Sequence, residues 1–346
     1  MRSEHDREAL HGEPEAARIG QPLLGDAWRV ARNRLPRAPG RVLARERRDH
    51  AHSGRGIHVV LPEENGVKTC SICKGTNTQP HAEKAGISFA KCVDCGYVVA
   101  DPLPSPAELD ELYGRAHFES SYHPESAANQ ELFEKRKDQY LLDRDLFLEF
   151  RDSGRLLDFG CGNGLFLSVF PDTFEKYGYE KNPVTTDWIR ENGSFRVFTD
   201  EAELRAIEPG FFDAIMMRGV IEHLIDPETT LAMLAERLRV GGEFYICATP
   251  NMDSPGALLY GTQWNQFTPP FHLHYFSPRT LAVLGARHGL ALVECRSPYL
   301  GTPYEHEPDD GQRFCRDVDA VESGATLTAS PPFPGTMMSL VFRKTR

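Results

Sequence analysis

The segment around residue 160 constrains the fold of this chain more than any other. It reads RLLDFGCGNG over residues 155–164, an apolar strand pattern followed by glycine at every second position. Glycine permits a tight turn and lets the backbone approach a ligand closely. Glu180 follows Asp158 by 22 residues, at the end of the next predicted strand, where an acid can accept hydrogen bonds from ribose hydroxyls. We therefore predict a nucleotide-binding loop at the end of a parallel strand.

Strand and helix patterns alternate from residue 154 onward. We predict strands at 155–159, 174–180, 195–200, 211–217, 243–249, 290–296 and 338–343, with helices between the early strands and another at 278–289. This order predicts a mostly parallel α/β sheet with right-handed crossovers. Residues 250–277 and 297–337 show no clear pattern, and we predict long irregular loops there.

The glycine spacing distinguishes between two nucleotide-like ligands. A dinucleotide site uses G-x-G-x-x-G, which brings a pyrophosphate to a helix N-terminus, whereas this loop reads G-x-G-x-G. Asp158 stands just before the loop, where a carboxylate would repel a pyrophosphate and attract a cationic amino group. S-adenosylmethionine carries such a group and no phosphate. The sequence therefore favours S-adenosylmethionine over NAD.

With these features the chain resembles the class I S-adenosylmethionine-dependent methyltransferases. FFDAIMM (211–217) is similar to the fourth strand of that family, and RGVIEHLIDP (218–227) to its EH…DP segment. PFHLHYFS (270–277) resembles a stretch of a subgroup acting on small molecules, many of them in sugar, polysaccharide or natural-product pathways. A four-cysteine segment followed by DPLPS…LY (101–113) also occurs in relatives. The resemblance covers roughly residues 66–296 and implies a Rossmann-like sheet of seven strands flanked by helices.

The resemblance also implies a set of cofactor-binding residues. The methionine half of S-adenosylmethionine would lie on the glycine loop, the ribose on the acid after the second strand, the adenine near the end of the third strand, and the methyl group near the end of the fourth. The corresponding residues are Asp158, Gly160, Cys161, Gly162 and Gly164; Glu180; Thr199 and Asp200; and Arg218 and Gly219.

Four cysteines near the front of the chain form two C-x-x-C pairs separated by 18 residues, Cys70 with Cys73 and Cys92 with Cys95. This spacing is typical of zinc ribbons, in which two tight turns supply a tetrahedral set of thiolates. Four sulfur ligands leave no position for water, so we predict a structural zinc ion. The other four cysteines are predicted to be free thiols.

Three histidines are candidates for the general base that a hydroxyl acceptor would use. His223 follows the fourth strand, where the methyl group is expected, and His272 matches a histidine of the family stretch. His274 lies on the same side of an extended segment as His272. The aromatic residues of 250–277 are predicted to form an apolar wall of the acceptor pocket. We predict an O-methyltransferase acting on a small hydroxylated acceptor, such as a sugar, glycan or natural product.

The chain divides into four predicted regions. They are a disordered, Arg-rich extension at 1–60, a zinc ribbon at 66–104, a helical linker or cap at 105–151 and the methyltransferase domain at 152–346. The extension carries a net charge of +4 and the remainder −15, for −11 overall. An acidic body repels nucleic acid, which favours a small-molecule acceptor. No run of about 18 apolar residues and no secretory signal pattern is present, so we expect a cytoplasmic protein without a membrane span.

Two alternatives stay open beside this prediction. One is a methyltransferase of ribosomal or transfer RNA, in which the zinc ribbon grips the RNA. The other is a module that binds S-adenosylmethionine without turnover. The oligomeric state is not predicted.

Overall fold

The computed structural model describes residues 69–112, 127–193, 195–302, 305, 309–328 and 330–346. The predicted extension at 1–60 and Tyr113 of the DPLPS…LY stretch lie outside these residues.

A seven-stranded sheet forms the centre of the fold. Its strands are β4 (Gly154–Phe159), β5 (Phe174–Tyr179), β6 (Arg196–Phe198), β7 (Phe212–Arg218), β8 (Leu238–Pro250), β10 (Leu290–Arg296) and β11 (Met337–Lys344). The order across the sheet is β10-β11-β8-β7-β4-β5-β6. Strands β6, β5, β4, β7 and β8 are parallel, whereas β11 pairs antiparallel with both β8 and β10. The predicted Rossmann-like, mostly parallel sheet of seven strands is confirmed.

The middle of this sheet is apolar on both faces. Leu156 and Leu157 are adjacent in β4 and both fully buried, as are Ile215 and Met216 in β7. Successive side chains of a strand point to opposite faces, so each face must be covered. Leu157 and Ile215 belong to one hydrophobic cluster, and Leu156 and Met216 to another. Strands buried in this way are typical of sheets flanked by helices on both sides.

The helices begin at residues that favour helix starts. They are α1 (Pro106–Leu112), α2 (Ala127–Leu148), α3 (Leu165–Ser168), α4 (Pro183–Asn192), α5 (Glu201–Arg205), α6 (Pro227–Arg237), α7 (Pro255–Tyr260), α8 (Pro278–Arg287) and α9 (Asp309–Glu322). Proline at the first position and a capping Asn, Asp or Ser before it start α4, α6, α7 and α8. Among the described helices, none has the length and apolar composition needed to cross a membrane.

The prediction of irregular structure at 297–337 is wrong for α9. Its sequence DDGQRFCRDVDAVE is mostly polar, and only Phe314 and Val318 of its apolar stripe pack inward. The helix is held by tertiary contacts instead, because buried Asp310 accepts hydrogen bonds from Tyr299 and Arg313. Residues 250–277 likewise contain the short helix α7 and a two-residue strand.

A second sheet joins the four-cysteine segment to the rest of the chain. It contains β1 (Thr78–Lys84), β2 (Ile87–Cys92), β3 (Val98–Ala100) and β9 (His274–Tyr275), in that order and all antiparallel. Strand β9 comes from the predicted methyltransferase domain, about 175 residues further along the chain. The two regions therefore share a sheet.

Candidate active site

The glycine loop connects β4 to α3 and is built from left-handed residues. Gly160, Gly162 and Gly164 have φ values of 80°, 52° and 80°. A Cβ on Gly164 would lie 2.5 Å from Phe195, whereas a Cβ on Gly162 would meet no atom within 4 Å. Gly164 is thus favoured by its left-handed φ and by the Phe195 ring beside it, and Gly162 borders open space where a ligand can approach the backbone.

Glu180, directly after β5, holds this loop in place. Its Oε2 accepts a hydrogen bond from the Gly162 N–H at 3.1 Å, and its Oε1 accepts one from the Asn182 N–H at 2.9 Å. A carboxylate offers about four acceptor positions, so Glu180 keeps capacity for a further donor such as a ribose hydroxyl. Burial raises the pKa of Glu180 above its ordinary value, and the backbone donors oppose this shift.

Asp158 is a buried carboxylic acid with an unsatisfied oxygen. The residue is 2% exposed, and its Oδ1 has no hydrogen-bond partner among the described residues. Desolvation raises its pKa to about 7, while Arg218 lowers the pKa and Glu180 raises it further. A buried acceptor of this kind calls for a donor. The ammonium group of S-adenosylmethionine fits that requirement.

Arg218 ends β7 and faces helix α2. Its Nε donates a hydrogen bond to Asp143 Oδ2 at 3.0 Å, and its guanidinium lies 4.5 Å from the centroid of the Tyr140 ring. Asp143 is 1% exposed, so the ion pair is removed from water. The next residue, Gly219, has a φ of 61° and donates its N–H to the Cys247 carbonyl at 2.9 Å. That Arg218 and Gly219 lie beside the methyl group stays a prediction.

The remaining predicted cofactor residues have local structural partners. Asp200 caps α5, because its side chain accepts a hydrogen bond from the Ala202 N–H at 2.8 Å. Thr199 Oγ1 lies 3.4 Å from Glu203 Oε1. Cys161 is buried, and burial raises the pKa of its thiol well above the ordinary value. Contact of these three residues with a cofactor stays a prediction.

A cavity of about 580 Å³ lies at the carboxyl ends of the parallel strands. Gly160 and Glu180 line it beside the glycine loop, and Val220 and His223 line it after β7. Ligands of open α/β sheets bind at this end of the strands. Of the three candidate histidines, His223 therefore shares a cavity with the loop.

His223 and His272 form a pair in which hydrogen bonds select the tautomer. His223 Nδ1 lies 2.9 Å from the Phe271 carbonyl oxygen, and His272 Nδ1 lies 2.9 Å from that of Gln266. A carbonyl only accepts, so in both neutral rings Nδ1 carries the proton and Nε2 is the basic nitrogen. The ring centroids are 4.8 Å apart. Desolvation lowers the pKa of His223 to about 3, with a smaller contribution from His272, and also lowers that of His272.

His274 has the opposite arrangement. Its Nε2 lies 2.6 Å from the Leu224 carbonyl oxygen, so Nε2 carries the proton. Its Nδ1 then accepts the hydroxyl proton of Tyr97. Both ring nitrogens are engaged in hydrogen bonds within the protein, and the residue is 2% exposed. The structure thus separates His274 from the other two histidines.

Glu222 is a residue that sequence reasoning missed. It is 2% exposed, and its Oε2 accepts a hydrogen bond from Thr249 Oγ1 at 3.2 Å. Desolvation raises its pKa to about 8. One ligand atom each from Glu222, His223 and His272 lies within 4.8 Å of the others, an arrangement that could also hold a cation. The only signal in the sequence was its place directly before His223 in the EH pair.

The predicted aromatic wall is largely absorbed into the core. Trp264 and Phe267 are each 1% exposed and belong to the same cluster as Phe89 of β2 and Tyr275 of β9. The Phe267 and Tyr275 rings stack with centroids 4.5 Å apart. These side chains therefore support the segment that carries His272 and His274.

The four cysteines of the N-terminal segment converge. Their sulfur atoms all lie within 4.8 Å of one another, with Cys70 and Cys95 at 3.8 Å and Cys73 and Cys92 at 3.6 Å. A tetrahedral zinc ion with Zn–S bonds of about 2.3 Å separates its sulfurs by about 3.8 Å. The cysteine cluster therefore has the geometry that a zinc ion requires.

Comparison with known proteins finds similarity to methyltransferases. The chain matches a family model described as a methyltransferase domain over residues 132–295. It is 34% identical over 171 residues to a ubiquinone biosynthesis O-methyltransferase of Cereibacter sphaeroides. The aligned region covers 44% of this chain and 66% of the relative. A protein of the same name from another strain is 31% identical over the same shares. The chain thus spans slightly less than two thirds of these relatives.

Solved structures show the same kind of likeness at low identity. A SAM-dependent methyltransferase from Archaeoglobus fulgidus is 19% identical, with 62% of this chain and 99% of that chain covered and a TM-score of 0.43. The Burkholderia thailandensis 1,6-didemethyltoxoflavin-N1-methyltransferase, with S-adenosylhomocysteine bound, is 17% identical, with 78% and 100% covered and a TM-score of 0.46. Residues 132–295 match a methyltransferase domain, and the seven-stranded sheet and glycine loop of the chain are similar to those of the class I S-adenosylmethionine-dependent methyltransferases.

Proposed function

We propose that this protein transfers the methyl group of S-adenosylmethionine to a hydroxyl of a small acceptor, leaving S-adenosylhomocysteine. The observation that carries the proposal is the shared cavity, which Gly160 and Glu180 line at one side and His223 at the other. Methyl transfer is an in-line displacement in which alignment supplies much of the rate. A cavity lined by Gly160 of the glycine loop, by Glu180 and by His223 can bring the methyl donor and the base together.

The cofactor-side residues have distinct roles in this proposal. Asp158 Oδ1, which lacks a partner among the described residues, accepts a hydrogen bond from the ammonium group of the methionine half. Gly162 lets the backbone approach the ligand, since nothing occupies the space beside it. Glu180 accepts a hydrogen bond from the ribose while still holding the Gly162 N–H. Thr199, Asp200, Cys161, Arg218 and Gly219 complete the proposed site.

His223 is the proposed base. The oxygen of the acceptor forms a bond to the methyl carbon, the carbon–sulfur bond breaks with its electron pair kept by sulfur, and the hydroxyl proton moves to His223 Nε2. The lowered pKa keeps His223 neutral near pH 7, so its Nε2 carries no proton, but it also makes the ring a weaker base and leaves more of the rate to alignment. His272, whose ring contacts that of His223, orients it. His274 is excluded as the base in this proposal because both its nitrogens are engaged.

The proposed acceptor class is inferred from the chemistry of the base and from the names of the curated relatives. The name of the curated relatives, ubiquinone biosynthesis O-methyltransferase, describes transfer to oxygen. A neutral histidine next to the methyl donor suits a hydroxyl, which must lose a proton. We therefore propose phenols and sugar hydroxyls as the first two acceptor classes to test. A zinc ion bound by Cys70, Cys73, Cys92 and Cys95 is part of the same proposal and has a structural role.

The experiment combines binding and turnover. Calorimetry measures S-adenosylhomocysteine binding, and mass spectrometry detects methyl transfer to panels of phenols and sugars. We expect binding by the wild-type protein, and a loss of about 10²-fold in kcat for His223→Gln with an unchanged Kd. His81→Gln, a change at an exposed histidine of β1, is the matched control and should retain full activity. Absence of S-adenosylhomocysteine binding would refute the proposal, and binding without transfer to any acceptor would favour a non-catalytic module.

A further inference from the structure

The segment Phe271–Phe276 lies between the four-cysteine region and the loop after β7. On the first side it is held by backbone pairing, because Val98 and Val99 of β3 pair with Tyr275 and His274. The Ala100 N–H also donates to the Leu273 carbonyl at 2.8 Å. This side of the segment is therefore a continuation of the small sheet that begins in the cysteine region.

On its other side the same segment holds the loop that carries Glu222 and His223. The Leu273 N–H donates to the Glu222 carbonyl at 2.9 Å. His223 Nδ1 donates to the Phe271 carbonyl, and His274 Nε2 donates to the Leu224 carbonyl at 2.6 Å. Three hydrogen bonds between residues 222–224 and residues 271–274 thus fix the base-bearing loop to the segment.

Tyr97 is the residue that connects the cysteine turns to this arrangement. It follows Cys95 by two positions, and its carbonyl accepts the Cys92 N–H at 2.8 Å, so the cysteine turn sets its backbone position. Its side chain is 2% exposed, and its hydroxyl donates to His274 Nδ1. A buried chain of donors then runs from the Tyr97 hydroxyl through the His274 ring to the Leu224 carbonyl, next to His223. Hydrogen bonds in such a network reinforce one another.

We propose that Tyr97 and His274 are positioning residues, through which the four-cysteine segment sets the orientation of the catalytic His223 for methyl transfer. This inference rests on the proposed function. The Leu224 carbonyl fixes the Nε2–H tautomer of His274, and the Tyr97 hydroxyl, by donating to Nδ1, holds the ring in the orientation that binds Leu224 and with it the 222–224 loop. The cofactor residues Asp158, Gly162 and Glu180 lie on other elements, so the link acts on the base and leaves cofactor binding unchanged.

The test uses the full chain with ¹⁵N-labelled histidine. Long-range ¹H–¹⁵N correlation spectra distinguish the two neutral tautomers, and we expect Nε2–H for His274 and Nδ1–H for His223 and His272. Tyr97→Phe removes one hydroxyl and should replace the single His223 tautomer by exchange between two. We expect kcat to fall by about tenfold or more, since small displacements of reacting groups are costly, with the Kd for S-adenosylhomocysteine within about twofold of wild type.

Tyr299→Phe is the matched control, because it also removes a buried tyrosine hydroxyl that donates to a protein acceptor, here Asp310 at 2.7 Å. It should leave the His223 spectrum and kcat unchanged. The inference would be overturned if His223 in Tyr97→Phe showed the same tautomer as in the wild-type protein. It would also be overturned if both variants changed the His223 spectrum and kcat equally. If Tyr97→Phe does not fold, His274→Gln replaces it in the test. The glutamine amide still donates toward Leu224, and the tautomers of His223 are measured in the same way. The spectra need no turnover, so they test the inference even where no methyl acceptor is found.

Discussion

Glu180 Oε2 accepts a hydrogen bond from the backbone N–H of Gly162 at 3.1 Å, across the mouth of the predicted cofactor site. Glu180 follows β5, and Gly162 belongs to the loop after the neighbouring strand β4. The carboxylate therefore sets the curvature of the loop before any ligand arrives. Preorganisation of this kind reduces the ordering cost of binding.

Cofactor binding should be coupled to proton release from Asp158. Its pKa is raised to about 7 by burial, so below pH 7 the free protein holds this carboxyl protonated. The ammonium group of S-adenosylhomocysteine favours the ionised form, so binding at pH 6 should release up to one proton and should tighten as the pH rises through 7. Calorimetry at pH 6 in buffers of different ionisation enthalpy measures the released protons.

Asp158→Asn tests the assignment of that proton. We expect the variant to release no proton at pH 6 and to bind S-adenosylhomocysteine more weakly at pH 8, because the ammonium loses its charged partner. Proton release equal to that of wild type would show that another group titrates. Asp172→Asn, at an exposed carboxylate outside the proposed site, serves as a control for general charge effects.

Two glycines of the loop should respond differently to alanine. Gly162→Ala introduces a Cβ at a φ of 52° in open space, so we expect a stability loss of about 1 kcal/mol and a much larger loss of cofactor affinity. Gly164→Ala places a Cβ 2.5 Å from Phe195 and should mainly lower the melting temperature. Thermal unfolding and calorimetry on both variants measure the contrast. Equal loss of affinity and stability in the two variants would contradict the assigned roles.

The four-cysteine cluster should bind one zinc ion per chain. Burial raises the pKa of the Cys70 and Cys95 thiols, so without a metal these sulfurs remain protonated, and zinc binding must displace protons. Native mass spectrometry should find one zinc in wild-type protein and none in Cys92→Ser, which should also unfold at a lower temperature. Cys315→Ser, at an exposed cysteine of α9, is the control that should keep the metal. A wild-type protein that folds and retains its melting temperature after chelation would argue against a structural zinc.

Glu222 should make stability fall as the pH rises. Its pKa is about 8 in the folded protein against an ordinary value of 4.5, so between these values the folded state binds more protons than the unfolded state. The stabilisation from the neutral acid is present below pH 4.5 and is lost as the pH rises through 8. Glu222→Gln keeps an acceptor for Thr249 and removes this dependence.

The measurement for Glu222 is the melting temperature of both proteins from pH 5 to pH 9. The melting temperature of Glu222→Gln should rise relative to that of the wild-type protein as the pH increases. Glu243→Gln is the contrasting change, because buried Glu243 pairs with Arg151 and Arg343 and its replacement should destabilise the protein at neutral pH. A difference between Glu222→Gln and wild type that is constant with pH would contradict the assignment.

Local patterns were sufficient for the elements whose signals lie within a few residues. The apolar run of β4, the alternating glycines after it and Glu180 at the next strand end predicted the parallel sheet and the cofactor loop, since strand burial and tight turns depend on neighbouring residues. Two C-x-x-C pairs predicted the cysteine cluster, because four thiolates at that spacing have few other uses. The polar helix α9 was missed because its stability comes from contacts such as Asp310 with Tyr299.

The sequence by itself therefore determined the seven-stranded fold, the glycine loop and the group of three candidate histidines. Only the tertiary structure distinguished among those histidines, because a ring's protonation depends on the acceptors it meets, and the acceptors of His223 and His274 come from Phe271 and Leu224, 48 and 50 positions away. The link from Tyr97 to His274 likewise joins residues 177 positions apart. Hydrogen bonds over such separations follow from how the sheets pack, and no local pattern encodes them.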